Sequence, residues 1–234
     1  MGQETADLKK EQQASRARPR YHYSAVARFF FRSMDMLAGK ETTLAKAKLV
    51  EALAPIPYRA WENRQYGRMT QHHSDPVLIE EARAIVTWGR EAQDNEYWHL
   101  LLLEEKLCED GTPDPNYMTQ PLPFLMISSW AALMWAMARI DIRRAFLRNA
   151  EFEDHSEHYY AQLVDEHPEW EDQPVSSARA LDYGSFRSWA DVFRRVGLDE
   201  RDHMNASFVF AGRPEHVVQY EGMPEVREAA AKAG

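Results

Sequence analysis

Residues 95–105, NEYWHLLLLEE, and residues 198–203, LDERDH, decide the predicted fold of this 234-residue chain. Each stretch contains a glutamate followed three residues later by a histidine. Three residues advance an α-helix by about 300°, so both side chains of such a pair project from one face, one turn apart. A carboxylate and an imidazole in this arrangement can bind the same metal ion. The two pairs, which predict two helices that each carry part of a metal site, are Glu96 with His99 and Glu200 with His203.

A di-iron carboxylate bundle needs four Glu and two His, with one further Glu from each of two other helices. Glu51, in the stretch KLVEALAPIP, is flanked by apolar residues, where an unpaired carboxylate would be costly. The stretch NAEFEDHSEHYY, residues 149–160, supplies candidates for the last helix, and periodicity alone does not choose among them. They are Glu151, Glu153 and Glu157.

The composition is typical of a globular protein, with 44% hydrophobic and 28% charged residues. Acidic residues (37) outnumber basic ones (28), giving a net charge of −9, which argues against nucleic acid as the main partner. Cys108 is the single cysteine, so an internal disulfide and a thiolate metal cluster are both excluded.

Proline, glycine and capping residues divide the chain into about six predicted helices, four of them in the core. Residues 24–210 are predicted to form one all-α domain. Residues 1–23 are predicted to be a disordered tail without a signal peptide, and residues 211–234 a loosely attached tail. The predicted helices cover residues 24–37, 42–68 with a break at Pro55 and Pro57, 76–107, 124–140, 143–164 and 186–210.

The longest apolar run, residues 124–140, is short for a membrane-spanning helix. Its length fits a buried helix of the bundle, a helix that lies in the membrane interface, or a span. The sequence leaves these three alternatives open.

Four spaced motifs, taken in order, resemble those of the alternative oxidases, especially the plastid terminal oxidase branch. That family shows a Leu-Glu-Thr-x-Ala-x-Val-Pro segment, then Asn-Glu-x-x-His-Leu-Leu, then a Glu followed seven residues later by Tyr. Its last motif is Asp-Val-Phe-Arg-x-x-x-x-Asp-Glu-x-x-His. The matching stretches here are VEALAPIPY (residues 50–58), NEYWHLL (95–101), Glu153 with Tyr160, and DVFRRVGLDERDH (191–203).

The resemblance implies a ferritin-like four-helix di-iron bundle with additional helices at the membrane interface. It favours Glu153 among the three candidates of its helix, and it implies Tyr160 as a redox-active residue beside the metals. Seven residues are two helical turns, so Tyr160 shares a face with Glu153. Asn95 and Asp199 would orient ligands through hydrogen bonds. The implied ligands of two iron ions are Glu51, Glu96, His99, Glu153, Glu200 and His203.

The implied activity is oxidation of a quinol, ubiquinol or plastoquinol, coupled to four-electron reduction of O₂ to water without proton pumping. A homodimer is expected, attached to one leaflet on the cytoplasmic face of a bacterial inner membrane and serving a respiratory chain. The chain has Lys46 and Lys48 where the family has an Arg near the quinol. The expected quinol contacts are Lys46, Val50, His155 and Ser156.

Two other functions fit the same ligand pattern. One is a di-iron oxygenase or hydroxylase that acts on another apolar substrate. The other is a non-enzymatic bundle, either iron-storing or structural, in which the Glu-x-x-His pairs are incidental. Quinol-driven O₂ uptake with water as the only product would separate the oxidase from the first, and metal analysis would separate the second.

Overall fold

A computed structural model describes residues 7–112 and 120–224. These residues form helices and no β-strand, which confirms the prediction of an all-α protein. Short 3₁₀ helices occur at Pro168–Glu171 and Pro214–His216. The α-helices are α1 Leu8–Ala17, α2 Ala25–Ala38, α3 Leu44–Leu53, α4 Pro55–Gln71, α5 Pro76–Glu109, α6 Pro121–Ile140, α7 Ile142–Glu166, α8 Ala178–Tyr183 and α9 Trp189–Phe210.

Side-chain caps explain where the main helices begin. Ser24 accepts a hydrogen bond from the backbone N–H of Ala27, and Asp75 accepts from the N–H groups of the first turn of α5. Pro76, which lacks an N–H, occupies the first position of α5, where no intrahelical donor is needed. The predicted break near Pro55 separates α3 from α4, because proline cannot donate the hydrogen bond that a continuous helix requires.

The bundle places a polar layer between two apolar clusters. One cluster contains Trp61, Trp130 and Phe146, and the other contains Trp189 and Phe193. Helices α5, α7 and α9 each contribute residues to both clusters, so the middle turn of each helix lies between them. The Glu-x-x-His pairs and the central acidic stretch of α7 fall on these middle turns.

Helix α1 lies within the segment predicted to be a disordered tail, and for α1 that prediction is wrong. Its Glu11, Gln12 and Ser15 are buried against α7 and α9. Ser15 donates to Glu157 Oε1 at 2.7 Å, and Arg201 pairs with Glu11 at 2.5 Å. The helix is polar, so its sequence shows no apolar periodicity. Charged and polar partners from distant parts of the chain hold it in place.

Part of the C-terminal segment is bound to α9 rather than loosely attached. Asn205 exchanges two hydrogen bonds with the backbone of Val218, at 2.8 and 3.0 Å, and Tyr220 donates to Asp202 at 2.7 Å. The prediction of a loose tail is therefore wrong for this part. Residues 225–234 of the predicted tail lie outside the described residues.

Helix α6 is the one helix of the described part of the chain that is long and apolar enough to cross a membrane. Only 28% of its most apolar stretch is buried, so it is not an interior helix of the bundle. Leu122, Phe124 and Leu125 are exposed. On its inner side Trp130 packs against Phe30 of α2, with ring centroids 4.8 Å apart.

Candidate metal centre

The six predicted ligands lie together in the polar layer, on four different helices. Five of them are at most 1% exposed, and His203 is 7% exposed. Helix α3 carries Glu51, and α5 carries Glu96 and His99. Helix α7 carries Glu153, and α9 carries Glu200 and His203.

These residues form two overlapping groups, in each of which one possible ligand atom per residue lies within 4.8 Å of the others. The His99 group consists of Glu51, Glu96, His99 and Glu200, and the His203 group consists of Glu96, Glu153, Glu200 and His203. Both groups are buried and could hold a metal ion.

Glu96 and Glu200 belong to both groups, and each divides its two oxygens between them. Glu96 Oε2 lies 3.4 Å from His99 Nδ1, while its Oε1 lies 2.9 Å from His203 Nδ1. Glu200 Oε1 lies 3.3 Å from His99 Nδ1, while its Oε2 lies 3.4 Å from His203 Nδ1. Each of these two carboxylates therefore faces both groups.

The atoms that face this space have no hydrogen-bond partner among the described residues. They are both oxygens of Glu96 and of Glu200, Oε2 of Glu51 and of Glu153, and Nδ1 of both histidines. Buried carboxylates without a counter-charge are strongly unfavourable. Oxygen and imidazole nitrogen are the ligands of non-haem iron and related divalent metals, so the residues present fit such ions.

The titration of the site reflects its excess of negative charge. Burial raises the pKa of Glu153 well above its usual range, and the nearby Glu200 and Glu96 raise it further. Burial lowers the pKa of His203, but the charges of Glu96 and Glu200 outweigh that effect and raise it. The pKa of His99 is raised in the same way, against burial, by its acidic and phenolic neighbours. Without a metal, the site therefore retains protons.

Asp199 contacts one of the two histidines, His99. Its Oδ2 lies 3.4 Å from His99 Nε2 and accepts from Asn95 at 3.4 Å, and it also accepts from Tyr183. Burial raises the pKa of Asp199, but the paired Arg195 and the contact with His99 outweigh it and hold the carboxyl ionised. His99 Nδ1 is thereby directed towards the carboxylates.

Tyr160 lies beside the centre, hydrogen-bonded to Glu51 through its hydroxyl. It is 1% exposed, and burial together with the Glu51 charge raises the pKa of its hydroxyl. Its ring stacks on Phe193 of α9, with centroids 6.2 Å apart. The hydroxyl contacts a candidate ligand without belonging to either group.

Three further residues contact the centre and are not predicted from the sequence. Tyr58 donates to Glu153 Oε1 at 2.7 Å, and Asn149 donates to the same oxygen at 2.9 Å. Tyr183 lies on α8, inside a segment expected to be a loop, and nothing in its surroundings in the sequence indicates it. The sequence contains one indication of Tyr58. It follows Glu51 by seven residues, which is also the spacing between Glu153 and Tyr160.

Two of the four expected quinol contacts lie close together. Lys46 Nζ lies 5.8 Å from the ring centroid of Tyr159 and pairs with Asp35 at 2.5 Å. The ring centroid of His155 lies 6.4 Å from that of Tyr159 and 3.9 Å from that of Phe31, on which it stacks. Burial, together with the nearby positive charges, lowers the pKa of His155 to about 3, so this imidazole is neutral.

The other two expected quinol contacts face the interior of the bundle. Val50 is 1% exposed and belongs to an apolar cluster. Ser156 is fully buried, and its hydroxyl donates to the carbonyl oxygen of Phe152 in its own helix, at 3.2 Å. The structure therefore does not bring the four residues to one surface.

A third group of possible ligands, Asp154, Glu157 and His158, lies on α7 near α1. Arg18 pairs with Asp154 at 2.6 Å and with Glu157 at 2.5 Å, and Arg201 pairs with Glu157 at 2.8 Å. The arginines supply the counter-charge that a metal would otherwise provide. This group therefore stabilises the contact between α1 and the bundle.

No model of a known protein family matches the chain, and no curated protein matches it either.

Proposed function

We propose that this chain is a di-iron quinol oxidase of the ferritin-like bundle class, similar to the alternative oxidases. One observation carries the proposal: Glu96 and Glu200 each direct one oxygen to the His99 group and the other to the His203 group. A single-metal site does not need such shared carboxylates, whereas di-iron carboxylate centres are built on them.

Two iron ions would be held by this set, one in each group. Glu51 and His99 would serve the first ion, Glu153 and His203 the second, and the shared glutamates both. Bound iron would supply the redox chemistry that O₂ reduction requires. The overall reaction balances as two quinols and one O₂ giving two quinones and two waters.

The protein's own residues hold protons and orient the ligands. Tyr160 holds a proton at its hydroxyl beside Glu51, and the raised pKa keeps it there. Asp199 fixes the orientation of His99, as partners of metal-bound imidazoles commonly do. The burial of all six ligands excludes bulk water, which strengthens these electrostatic interactions.

Access of a lipid-soluble quinol is supported by an exposed apolar surface on α2 and α6. Phe29 and Met36 of α2 are 64% and 80% exposed and, seven residues apart, share one face. Phe124 and Leu125 of α6 are exposed as well, and α2 packs against α6. This surface supports attachment in one leaflet, where the quinol is dissolved.

The proposal is tested by iron content and O₂ consumption together. Anaerobic iron loading should give about two ions per chain. The loaded protein in detergent should consume O₂ with ubiquinol alone, at two quinols per O₂ and without hydrogen peroxide. The double variant Glu96→Ala, Glu200→Ala should lose both properties, while Glu91→Ala, an exposed position on α5, should keep them.

The other outcomes separate the alternatives. Iron content near zero in the wild-type protein would exclude the metal centre. Two irons with O₂ uptake that requires a second, non-quinol substrate would indicate an oxygenase. Two irons without sustained O₂ uptake would indicate an iron-binding bundle.

A further inference from the structure

Two glutamates of the candidate metal centre are each held by a tyrosine from another helix. Glu51 of α3 accepts a hydrogen bond from Tyr160 of α7, and Glu153 of α7 accepts one from Tyr58 of α4, at 2.7 Å. Each glutamate is followed seven residues later by the tyrosine that holds the other glutamate. All four residues are at most 1% exposed.

This reciprocal arrangement leaves each glutamate with one occupied and one available oxygen. The tyrosine hydroxyls occupy Oε1 of Glu51 and Oε1 of Glu153. The Oε2 atoms have no hydrogen-bond partner among the described residues, and they face the two groups. Glu51 belongs only to the His99 group and Glu153 only to the His203 group. The His99 group and the His203 group, which form the two halves of the centre, therefore each have their own tyrosine.

We propose that Tyr58 is a positioning residue for the His203 half, the counterpart of Tyr160 in the His99 half. This inference rests on the proposed metal centre. The Tyr58 hydroxyl retains Glu153 Oε1 in a hydrogen bond, so that Glu153 offers a metal ion Oε2 alone. Without the Tyr58 hydroxyl, Glu153 Oε1 would keep only the hydrogen bond from Asn149 among the described residues, and the carboxylate would be oriented less firmly for metal binding.

The neighbours of Tyr58 show that its hydroxyl, and not only its ring, makes specific contacts in the interior. Asn149 donates to Glu153 Oε1 at 2.9 Å, and its Nδ2 lies 3.0 Å from the Tyr58 hydroxyl and 3.1 Å from Ser207 Oγ. Asn149 and Ser207 are fully buried. Polar side chains in such an interior are unfavourable unless they are hydrogen-bonded. The hydrogen-bonded side chains of Ser207, Asn149 and Tyr58 therefore form a network that holds Glu153.

The aromatic surroundings make Tyr58→Phe a clean removal of the hydroxyl. The ring of Tyr58 packs edge-on against Trp61 and Trp88, with centroids 5.1 and 5.3 Å away, and lies 5.7 Å from the ring of His203. Phenylalanine preserves these contacts. A purely structural role of the ring therefore predicts no change in metal binding for this variant.

The test isolates each half of the centre in the full-length, metal-free protein, with Co²⁺ as the probe. His99→Ala leaves the His203 group, and His203→Ala leaves the His99 group. In the His99→Ala background, Tyr58→Phe should weaken Co²⁺ binding by about tenfold, the usual effect of losing a hydrogen-bond partner of a ligand. In the His203→Ala background the same change should alter the affinity by less than about twofold, because Tyr58 contacts Glu153, which is not a member of the His99 group.

Tyr160→Phe should show the opposite selectivity, weakening Co²⁺ binding in the His203→Ala background only. Tyr66→Phe, an exposed tyrosine later in α4, is the matched control and should change neither. Co²⁺ absorption bands report the coordination in each half, and circular dichroism confirms the fold of every variant. If a half-site variant does not fold, the two successive Co²⁺-binding steps of the protein that keeps both histidines are measured instead. Tyr58→Phe should then weaken one step and leave the other.

The outcomes separate this inference from the function on which it rests. Equal effects of Tyr58→Phe on both halves, or no effect on either, would overturn the positioning role and leave the metal centre intact. A wild-type protein that binds no Co²⁺ would overturn the metal centre and the inference together.

Discussion

At the scale of single residues, the hydroxyl of Tyr160 is the group whose removal tests the proposed oxidation most directly. It donates to Glu51 and is held protonated by burial and by that carboxylate. Tyr160→Phe keeps the ring and its stacking on Phe193, so the fold and the iron content at saturating iron should be retained. Quinol oxidation should fall at least about tenfold, an added barrier of roughly 1.4 kcal/mol.

The control is Tyr159→Phe, on the neighbouring residue of the same helix. The Tyr159 hydroxyl contacts the backbone of Thr43, away from the candidate ligands, so quinol oxidation should be nearly unchanged. Full activity of iron-loaded Tyr160→Phe would exclude a redox role for the Tyr160 hydroxyl.

The candidate ligands that the structure brings together could be predicted from the sequence and its family resemblance, and most of the residues that contact them could not. The Glu-x-x-His spacing has a geometric meaning on any helix, so Glu96 and His99 are recognisable before the fold is known. Tyr183 reaches Asp199 from a separate short helix, and that contact depends on the path of a segment with two prolines. Asn149 looks like an ordinary polar residue until α4 and α9 are packed around it.

At the scale of helices, the exposed apolar faces of α2 and α6 predict how the protein meets a membrane. The protein should pellet with membranes and be released by detergent rather than by salt, because apolar burial and not charge would hold it. The double variant Phe124→Glu, Leu125→Glu should move most of the protein to the soluble fraction. Both side chains are exposed, so the variant should remain folded.

Leu181→Glu, on the exposed face of α8, provides the comparison for this prediction. It adds a charge at an exposed leucine outside α2 and α6, and it should leave the membrane-bound fraction unchanged. Protease cleavage from both sides of a sealed vesicle would show that α6 crosses the bilayer, contrary to the one-leaflet arrangement.

Helices with a strong local signal follow the sequence, and helices held by distant partners do not. The break before α4 follows from Pro55, and the start of α5 follows from Asp75 and Pro76. Helix α1 is invisible to apolar periodicity because its buried face is polar and pairs with α7 and α9. Its burial depends on residues such as Arg201, which lie far away in the chain.

For the molecule as a whole, the proton content of the candidate metal centre predicts how the free energy of unfolding depends on pH. The folded-state pKa values of Glu153, His99 and His203 are raised, so the metal-free fold binds more protons than the unfolded chain. The stabilisation from these groups is fully present below their unfolded pKa values, about 4.3 for Glu and 6.5 for His. It is lost as pH rises through the folded values, so the free energy of unfolding should decrease from about pH 6 upward.

Thermal denaturation of the metal-free protein across this pH range measures the effect. Glu153→Gln removes one of the titrating groups and should reduce the slope. Added Co²⁺ should stabilise the protein increasingly as pH rises, since a metal replaces the protons. A metal-free protein whose denaturation temperature is constant or rises from pH 6 to pH 9 would contradict the charge balance described for the centre.

The burial of the candidate ligands also determines how fast a bound ion would exchange with the surrounding solution. Five of the candidate ligands are at most 1% exposed and His203 is 7% exposed, so under the proposed function an ion would enter or leave mainly when the helices separate locally. The rate of that opening is a property of the fold and does not depend on the chelator. At high chelator concentration, where every opening leads to loss of the ion, more chelator should therefore not accelerate iron loss. Under the proposed function, a chain that folds without iron would enclose protons instead, and iron supplied later would enter at the rate of these openings.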